Sequence, residues 1–374
     1  MAKSDSIKKI EFYKHNIDEE DIARAAESLR SLILTTGEVV EEFEGIFANY
    51  LGVKYAVAVS SCTAALHLAL LALGISRGHE VITTPMTFIA TSNAILYTGA
   101  TPVFVDVDKE TGLIDNNKVR DAITSKTKAV LPVHLYGQMC NLNELTFGGV
   151  RLLEDAAHCI DSTGRCGYKQ GGNSDGACFS FYPTKSITSG EGGAFATNNK
   201  VIADKVRTMR NHGMTKGAYE RYGKNYQHWN MVLLGYNYRM SNVQASLLLG
   251  QMDRIDSFRQ RRVEIWGLYE KGFSDNPKIG IIKTDASSAK LMFTILVEDR
   301  DRVLQELQEG GIGVAVHYRA LHLLGYYKKR FGYTEGDFPN AEYIGNHTLT
   351  LPLYPKLTNL EVEYVIEKVK EVVR

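Results

Sequence analysis

No apolar run in the sequence approaches the roughly 20 residues that a membrane-spanning helix needs, so no membrane partner is expected. Cysteine is sparse and unpatterned. Cys62, Cys140, Cys159, Cys166 and Cys178 are odd in number, scattered, and contain no Cys-x-x-Cys pair. That argues against a zinc site or a redox motif, so no metal is expected, and it fits free thiols in a reducing cytoplasm. Neither sign of charge is in surplus: Lys+Arg and Asp+Glu both number 43. Nucleic acid is therefore not expected as a partner. Low-complexity tracts and internal repeats are absent. So is a Gly-x-Gly-x-x-Gly run after the first predicted strand, which argues against a nicotinamide-binding fold. The opening residues, Met1–Ile10, are polar and include Lys3, Lys8 and Lys9, with no apolar core after them. This gives no sign of a secretory signal and points to a cytoplasmic location.

What is present is ordinary globular material. The 374 residues are 44% hydrophobic and 23% charged, enough for about two domains with sizeable cores. Val39, Val40, Phe43, Ile46, Phe47 and Tyr50 recur at helical spacing. Tyr55–Val59, Glu80–Thr83, Thr101–Asp106, Lys128–Val133, Arg151–Glu154, Cys178–Tyr182 and Gly193–Thr197 read as short strands. Helical patterns such as Thr63–Leu73 and Phe88–Leu96 lie between them. Strand and helix in alternation predict an α/β fold with a mostly parallel sheet covered by helices. The pattern changes near Ser241, a plausible cap for a long helix over Ser241–Lys271. Lys290–Val297, a helix around Arg302–Glu309, a strand over Gly313–His317 and a final helix Leu360–Val373 follow. The predicted division is a large α/β domain, 1–250, and a smaller C-terminal α+β domain, 251–374. Thr215–Leu234 has no period and reads as a long loop.

Open α/β sheets bind ligands beyond the carboxyl ends of their strands, and three unusual segments fall at such ends. Ser60-Ser61-Cys62-Thr63 turns a strand into a helix through small hydroxyl residues. It is either a plain helix cap or a phosphate cradle at a positive helix end. In Glu154-Asp155-Ala156-Ala157-His158, Asp155 is either a cap or a buried carboxylate facing a cation, and His158 shares its helical face. In Ser180-Phe181-Tyr182-Pro183-Thr184-Lys185, the lysine is either an ordinary surface residue or a desolvated amine able to form a Schiff base. Ser180 would add a phosphate hydroxyl. A phosphate cradle, a carboxylate and an amine at one sheet edge are what pyridoxal phosphate needs. Phe88, just beyond another strand, is a candidate to stack on its ring.

These segments, with Gly190-Glu191-Gly192-Gly193, Arg210-Asn211-His212-Gly213-Met214, Gly235-Tyr236-Asn237-Tyr238-Arg239-Met240 and His317-Tyr318-Arg319-Ala320-Leu321-His322, resemble the DegT/DnrJ/EryC1/StrS family. Its members are sugar-nucleotide aminotransferases, fold-type I pyridoxal-phosphate enzymes. The resemblance runs from about Ile17 to the C-terminus. It implies that Lys185 holds the cofactor as an internal aldimine and that Asp155 pairs with the pyridine nitrogen. His158 would lie near the ring hydroxyl, Phe88 on the ring, and Ser61, Cys62 and Ser180 at the phosphate. Asn237 matches a residue that reaches the phosphate from the neighbouring subunit, which implies a homodimer with shared sites. The family often has Gly or Ala where this chain has Cys62, a change that a backbone N–H contact survives.

The implied activity is transfer of an amino group, from L-glutamate, to a nucleotide-linked keto sugar, with the cofactor cycling through pyridoxamine phosphate. A UDP-linked 4-keto-6-deoxy sugar aminated at C4, for glycan or lipopolysaccharide synthesis, is the nearest match. His317, Tyr318, His322 and Arg239 are candidate substrate contacts, with packing roles as the alternative. Arg210 and His212 are further residues placed near the site. Two other readings share the fold: a sugar dehydratase, against which the presence of Lys185 argues, and a cofactor-binding regulatory relative without turnover. One departure stands out. The family has a longer crossover helix where Glu144–Gly149 supplies barely one turn, although a parallel crossover usually needs a dozen or more residues.

Overall fold

A computed structural model describes residues 9–164, 167–217 and 228–374. Cys166 and the middle of the expected Thr215–Leu234 loop lie outside them. Helices α1 (Glu19–Arg30) and α2 (Glu38–Leu51) precede strand β1 (Tyr55–Val59) and helix α3 (Cys62–Ala72). Strand and helix then alternate: β2 (Glu80–Thr83), α4 (Ile89–Tyr97), β3 (Thr101–Phe104), α5 (Asn116–Asp121) and β4 (Thr127–Val130). Next come β5 (Arg151–Asp155), β6 (Gly176–Ser180), β7 (Gly193–Thr197) and α6 (Lys200–Met209). These strands form one seven-stranded sheet in the order β1-β7-β6-β5-β4-β2-β3.

The pairs β2–β3, β2–β4, β4–β5 and β5–β6 are parallel, and β7 runs antiparallel between β1 and β6. The expected mostly parallel sheet is therefore present, with one reversed strand. Two reversals restore the direction of β1 to that of β6. The carboxyl ends of β1, β2, β5 and β6 consequently share one edge.

The sheet is covered on both faces, which is why its strands carry apolar side chains without alternation. One face packs against α2 through Phe43 and Phe47, whose rings meet Phe179 and Phe181 edge-on. The other is covered by α3, α4 and α6. Helix α3 is buried nearly all round, as its sequence Cys-Thr-Ala-Ala-Leu-His-Leu-Ala-Leu-Leu-Ala permits.

Helix α7 (Asn242–Phe273) begins at the expected cap: Ser241 Oγ accepts from the Gln244 N–H, and the Gln244 side chain accepts from the Ser241 N–H. Its first half packs with the large sheet through Ala245, Leu248 and Met252. Its second half packs through Ile265, Trp266, Tyr269 and Phe273 with a three-stranded antiparallel sheet, β10-β9-β8. That sheet comprises β8 (Gly280–Ile281), β9 (Phe293–Leu296) and β10 (Thr348–Leu351), accompanied by α8 (Arg300–Glu309), α9 (Gly325–Phe331), α10 (Pro339–His347) and α11 (Asn359–Val372).

One expectation needs correction, and the short crossover before β5 is accounted for. The Gly313–His317 strand is reduced to a single bridge, Ala315 to Thr350, because the segment turns away to cross the large sheet. Between Cys140 and Arg151 the only helical piece is a short 3-10 turn, Leu142–Leu145. β4 and β5 still pair in parallel register, Ala129 with Arg151 and Val130 with Leu152. Leu142 and Leu145 of the turn are buried against Val130 and Leu152, so a loop with two apolar anchors replaces the missing helix.

α7 is tied to the large sheet by a buried ion pair between Arg262 and Asp161. Arg262 also donates to the Ala289 carbonyl at 3.1 Å, and Asp161 accepts from Ser186 Oγ at 3.0 Å. Removing one partner leaves the other charge buried and uncompensated, a loss of about 3–5 kcal/mol. Arg262→Met should therefore lower the stability measured by urea unfolding by roughly that amount. A loss under about 1 kcal/mol would show that the pair is not what fixes the helix.

Candidate active site

The segments singled out by sequence meet at the shared edge. β1 ends at Val59, which pairs with Gly193 of β7, and Gly193 pairs in turn with Ser180 of β6. Ser61 caps α3, its Oγ accepting from the Ala64 N–H at 3.1 Å. The first-turn amides beyond it have no acceptor inside the helix. Residue 193 has to be glycine, since a Cβ there would stand 2.4 Å from the Cys62 nitrogen and 2.4 Å from the Ser61 carbonyl carbon. Ser61, Cys62 and Ser180 are thus gathered at one end of α3. Asn237, Tyr238 and Arg239 run beside them: Tyr238 accepts from the Ser60 N–H at 2.8 Å, and Arg239 bridges to Val59. Asn237 is exposed.

Asp155 closes β5 and is 4% exposed. Its Oδ2 accepts from Thr91 Oγ1 at 2.7 Å, and its Oδ1 from the Ala157 N–H at 3.2 Å. Burial pushes its carboxyl pKa up, while these two hydrogen bonds and the Lys185 charge oppose the rise. His158 is buried as well, and desolvation drives its pKa well below the usual histidine value, so the imidazole is neutral. Its Nε2 lies 3.3 Å from Tyr318 Oη, while its Nδ1 is buried without a hydrogen-bond partner.

Lys185 lies on the loop between β6 and β7, which is held at several points. Phe181 N–H donates to the Gly192 carbonyl at 3.0 Å. Thr188 N–H donates to Gln251 Oε1 at 3.0 Å, and Gln251 Nε2 returns a bond to the Thr188 carbonyl at 2.8 Å. Ser186 donates to Asp161. The Lys185 amine itself has no hydrogen-bond or ion-pair partner among the described residues. Burial lowers its pKa to about 8, moderated by the neighbouring Cys62 and Asp155.

The C-terminal part roofs this edge. Tyr318 stacks on His158 with ring centroids 6.2 Å apart and meets Phe88 at 6.0 Å. Phe88, the cap residue of α4, remains 55% exposed. His317 Nδ1 lies 3.0 Å from Thr350 Oγ1, and its carbonyl accepts from Tyr136 Oη at 2.7 Å. Burial, then the Lys185 charge, lowers the His317 pKa to about 3.

Two expected residues are placed elsewhere, and a third, Arg239, stands beside the start of α3 and also lines a separate cavity. His322 is completely buried, paired with Glu342 at 2.9 Å and enclosed by Tyr333 and Phe338. It offers no surface to a substrate. Arg210 is buried and committed to Glu44 and the Ala58 carbonyl, fastening α6 to β1. Arg239 donates to Asn211 Oδ1 at 2.9 Å. It lines a cavity of about 1050 Å³ with Arg24, Thr36 and Asn242, whose walls do not include Lys185 or Asp155. Sequence reasoning missed Thr91 and Thr87. Their signal was the four-residue spacing at the start of a helix next to Phe88.

The site fits pyridoxal phosphate. A half-buried amine without a hydrogen-bond partner among the described residues, a buried carboxylate, an orphaned imidazole nitrogen and an exposed aromatic face stand within one edge, beside a helix N-terminus closed by a glycine.

An α/β sheet with these groups at its carboxyl edge defines a fold-type I pyridoxal-phosphate enzyme. The chain belongs to the DegT/DnrJ/EryC1/StrS aminotransferase family, whose model matches residues 15–370, and pyridoxal phosphate is the cofactor of that family. It is 42% identical to the spore coat polysaccharide biosynthesis protein SpsC of Bacillus subtilis, over 96% of this chain and 95% of that protein. Its structure is similar to that of a sugar aminotransferase, Spr1654, of Streptococcus pneumoniae in the PMP form. There the TM-score is 0.91 and the identity 32%, with 97% and 99% of the two chains covered. It is also similar to PseC of Helicobacter pylori, an aminotransferase of pseudoaminic acid biosynthesis. That TM-score is 0.90 and the identity 29%, with 98% and 99% covered.

Two outcomes follow from the geometry. The neutral amine is the reactive form, so acylation of Lys185 in the cofactor-free protein should rise with pH and be half-maximal near pH 8. An ordinary lysine titrates near 10.4. Peptide mass spectrometry across pH 6–11 reads both together, and a Lys185 midpoint above about 10 would contradict the desolvated amine. Gly193→Ala should weaken pyridoxal-phosphate binding by at least roughly 10-fold while leaving far-ultraviolet circular dichroism native, because the nearest atoms a Cβ would strike are the Ser61 and Cys62 backbone at the start of α3. Unchanged binding would mean that this edge does not hold the phosphate.

Proposed function

We propose that this chain is an aminotransferase that moves an amino group from L-glutamate to a nucleotide-linked keto sugar. The observation that carries the reading is the desolvated, unpartnered Lys185 amine beside the buried Asp155 carboxylate. When bound, pyridoxal phosphate supplies an electron sink that acidifies the α-carbon of an amino acid joined to it. In this reading Lys185 holds the cofactor. Once displaced by the donor, its amine takes the proton from the donor α-carbon and later returns one to the sugar carbon. A pKa near 8 suits an amine that must be neutral to accept a proton and charged to give it back.

Asp155 keeps the ring nitrogen protonated. His158, neutral and with Nδ1 uncommitted, stands by the ring hydroxyl. Phe88 covers the ring, and Ser61, Cys62 and Ser180 hold the phosphate. Exposed Asn237 reaches the phosphate of a second copy, so the active unit is a homodimer. The cofactor-holding part is residues 1–250, and residues 251–374 form the smaller domain that brings His317 and Tyr318 over the site. Arg239 meets the substrate's carboxylate or diphosphate.

The sugar-nucleotide reading is supported by relatives. One structural neighbour, DesI, has been crystallised in the presence of its TDP-sugar product, with a TM-score of 0.86 and 28% identity. For this chain we favour a UDP-linked 4-keto-6-deoxy sugar aminated at C4, in glycan synthesis in the cytoplasm. Incubation with ¹⁵N-glutamate and such a sugar should give a ¹⁵N-amino sugar detectable by mass spectrometry. Lys185→Ala should lower the rate by at least roughly 10³-fold with its fold intact. Normal turnover by that variant would overturn the assignment.

A further inference from the structure

Asp155 does not stand alone at the end of β5. Thr91 Oγ1 lies 2.7 Å from its Oδ2, and Thr87 Oγ1 lies 2.8 Å from Thr91 Oγ1. Asp155, Thr91 and Thr87 are all nearly inaccessible, at 4%, 1% and 2% exposure. The direction of this chain follows from chemistry. An ionised carboxylate only accepts, so the single Thr91 hydroxyl proton goes to Asp155. Thr87 must then be the donor to Thr91. Two hydroxyls in series polarise each other and strengthen the terminal bond to the carboxylate.

The residues facing Asp155 from neighbouring elements are Lys185, His134, Cys62, Cys178 and Tyr318. None of their side chains bonds to its carboxylate oxygens; among the described residues, Thr91 Oγ1 and the Ala157 amide do. Both threonines flank Phe88 in Thr87-Phe88-Ile89-Ala90-Thr91, the segment that opens α4. One short stretch therefore presents an aromatic face to the site and a hydroxyl chain to the carboxylate behind it.

We propose that Thr91, backed by Thr87, is a positioning residue for the reaction: it fixes the Asp155 carboxylate in one orientation for the ring nitrogen of pyridoxal phosphate. The inference rests on the assignment of Asp155 to that nitrogen, and goes beyond it by naming what holds Asp155 in place. Ala157 supplies the second bond, at the longer distance of 3.2 Å, so Thr91 carries the larger share. Without the hydroxyl, Asp155 is free to rotate and its Oδ2 is left buried without a donor.

The test compares pyridoxal phosphate with 1-deazapyridoxal phosphate, in which C–H replaces the ring nitrogen, by spectroscopic titration of the cofactor-free full chain. The wild-type protein should prefer the natural cofactor by at least roughly 10-fold, as expected for a charge-assisted hydrogen bond. Thr91→Val should erase most of that preference by weakening only pyridoxal-phosphate binding. Thr91→Ser should retain it within about twofold, because the hydroxyl is kept. Thr91→Ala carries the same expectation should the valine variant not fold. Equal weakening of both ligands in Thr91→Val would mean that the threonine merely packs, and would overturn the proposal. A full preference retained by Thr91→Val would overturn it too. A wild-type protein without any preference would instead show that Asp155 does not serve the ring nitrogen, which removes the assignment on which the inference stands.

Discussion

Burying a carboxylate at the end of an apolar strand costs several kcal/mol unless its oxygens are met, and the edge of the sheet is organised around that cost. Asp155 lies where β5 leaves the core. Its carboxylate oxygens are met by a threonine hydroxyl and a backbone amide, and the Lys185 amine beside it has no hydrogen-bond or ion-pair partner among the described residues. The same desolvation that raises the Asp155 carboxyl lowers Lys185 and silences His158 and His317. One low-dielectric place thus biases four titratable groups, each toward its neutral form.

Such a place exists only because elements remote in sequence end at a common edge. The reversed strand β7 lets Gly193 pair with both Val59 and Ser180, and its missing side chain admits the start of α3. The Lys185 loop is stiffened from behind by Asp161, Arg262 and Gln251. Two of those residues belong to the long helix that also anchors the small sheet. Packing of the C-terminal part and placement of the amine therefore share one element. Tyr318, held near His158, roofs this edge.

Much of this was legible in the sequence. The alternation of short apolar runs with helical periods gave the sheet, and small hydroxyl residues after Val59 marked the turn into α3. Asp155 and Lys185 stood out because each is a charged residue directly following an apolar strand. What could not be read depended on partners chosen by the fold. His322 looked like a site residue because it sits five residues from His317, yet Glu342 and two aromatic rings enclose it. Arg210 is absorbed by Glu44, some 166 residues away in sequence. Thr87 and Thr91 carry only the weak signal of their four-residue spacing, since threonines near a helix start are ordinary caps. The short Leu142–Leu145 turn stands where the family has a longer helix, and its two buried leucines hold the crossover down.

The central claim is that the Lys185 amine carries the cofactor and surrenders it to an amino-acid donor. The most direct measurement is the absorption spectrum of the pyridoxal-phosphate-loaded protein before and after L-glutamate, with no sugar present. The account predicts a visible band that glutamate converts to a near-ultraviolet pyridoxamine-type band. A loaded wild-type protein with no visible band would contradict the account at its root.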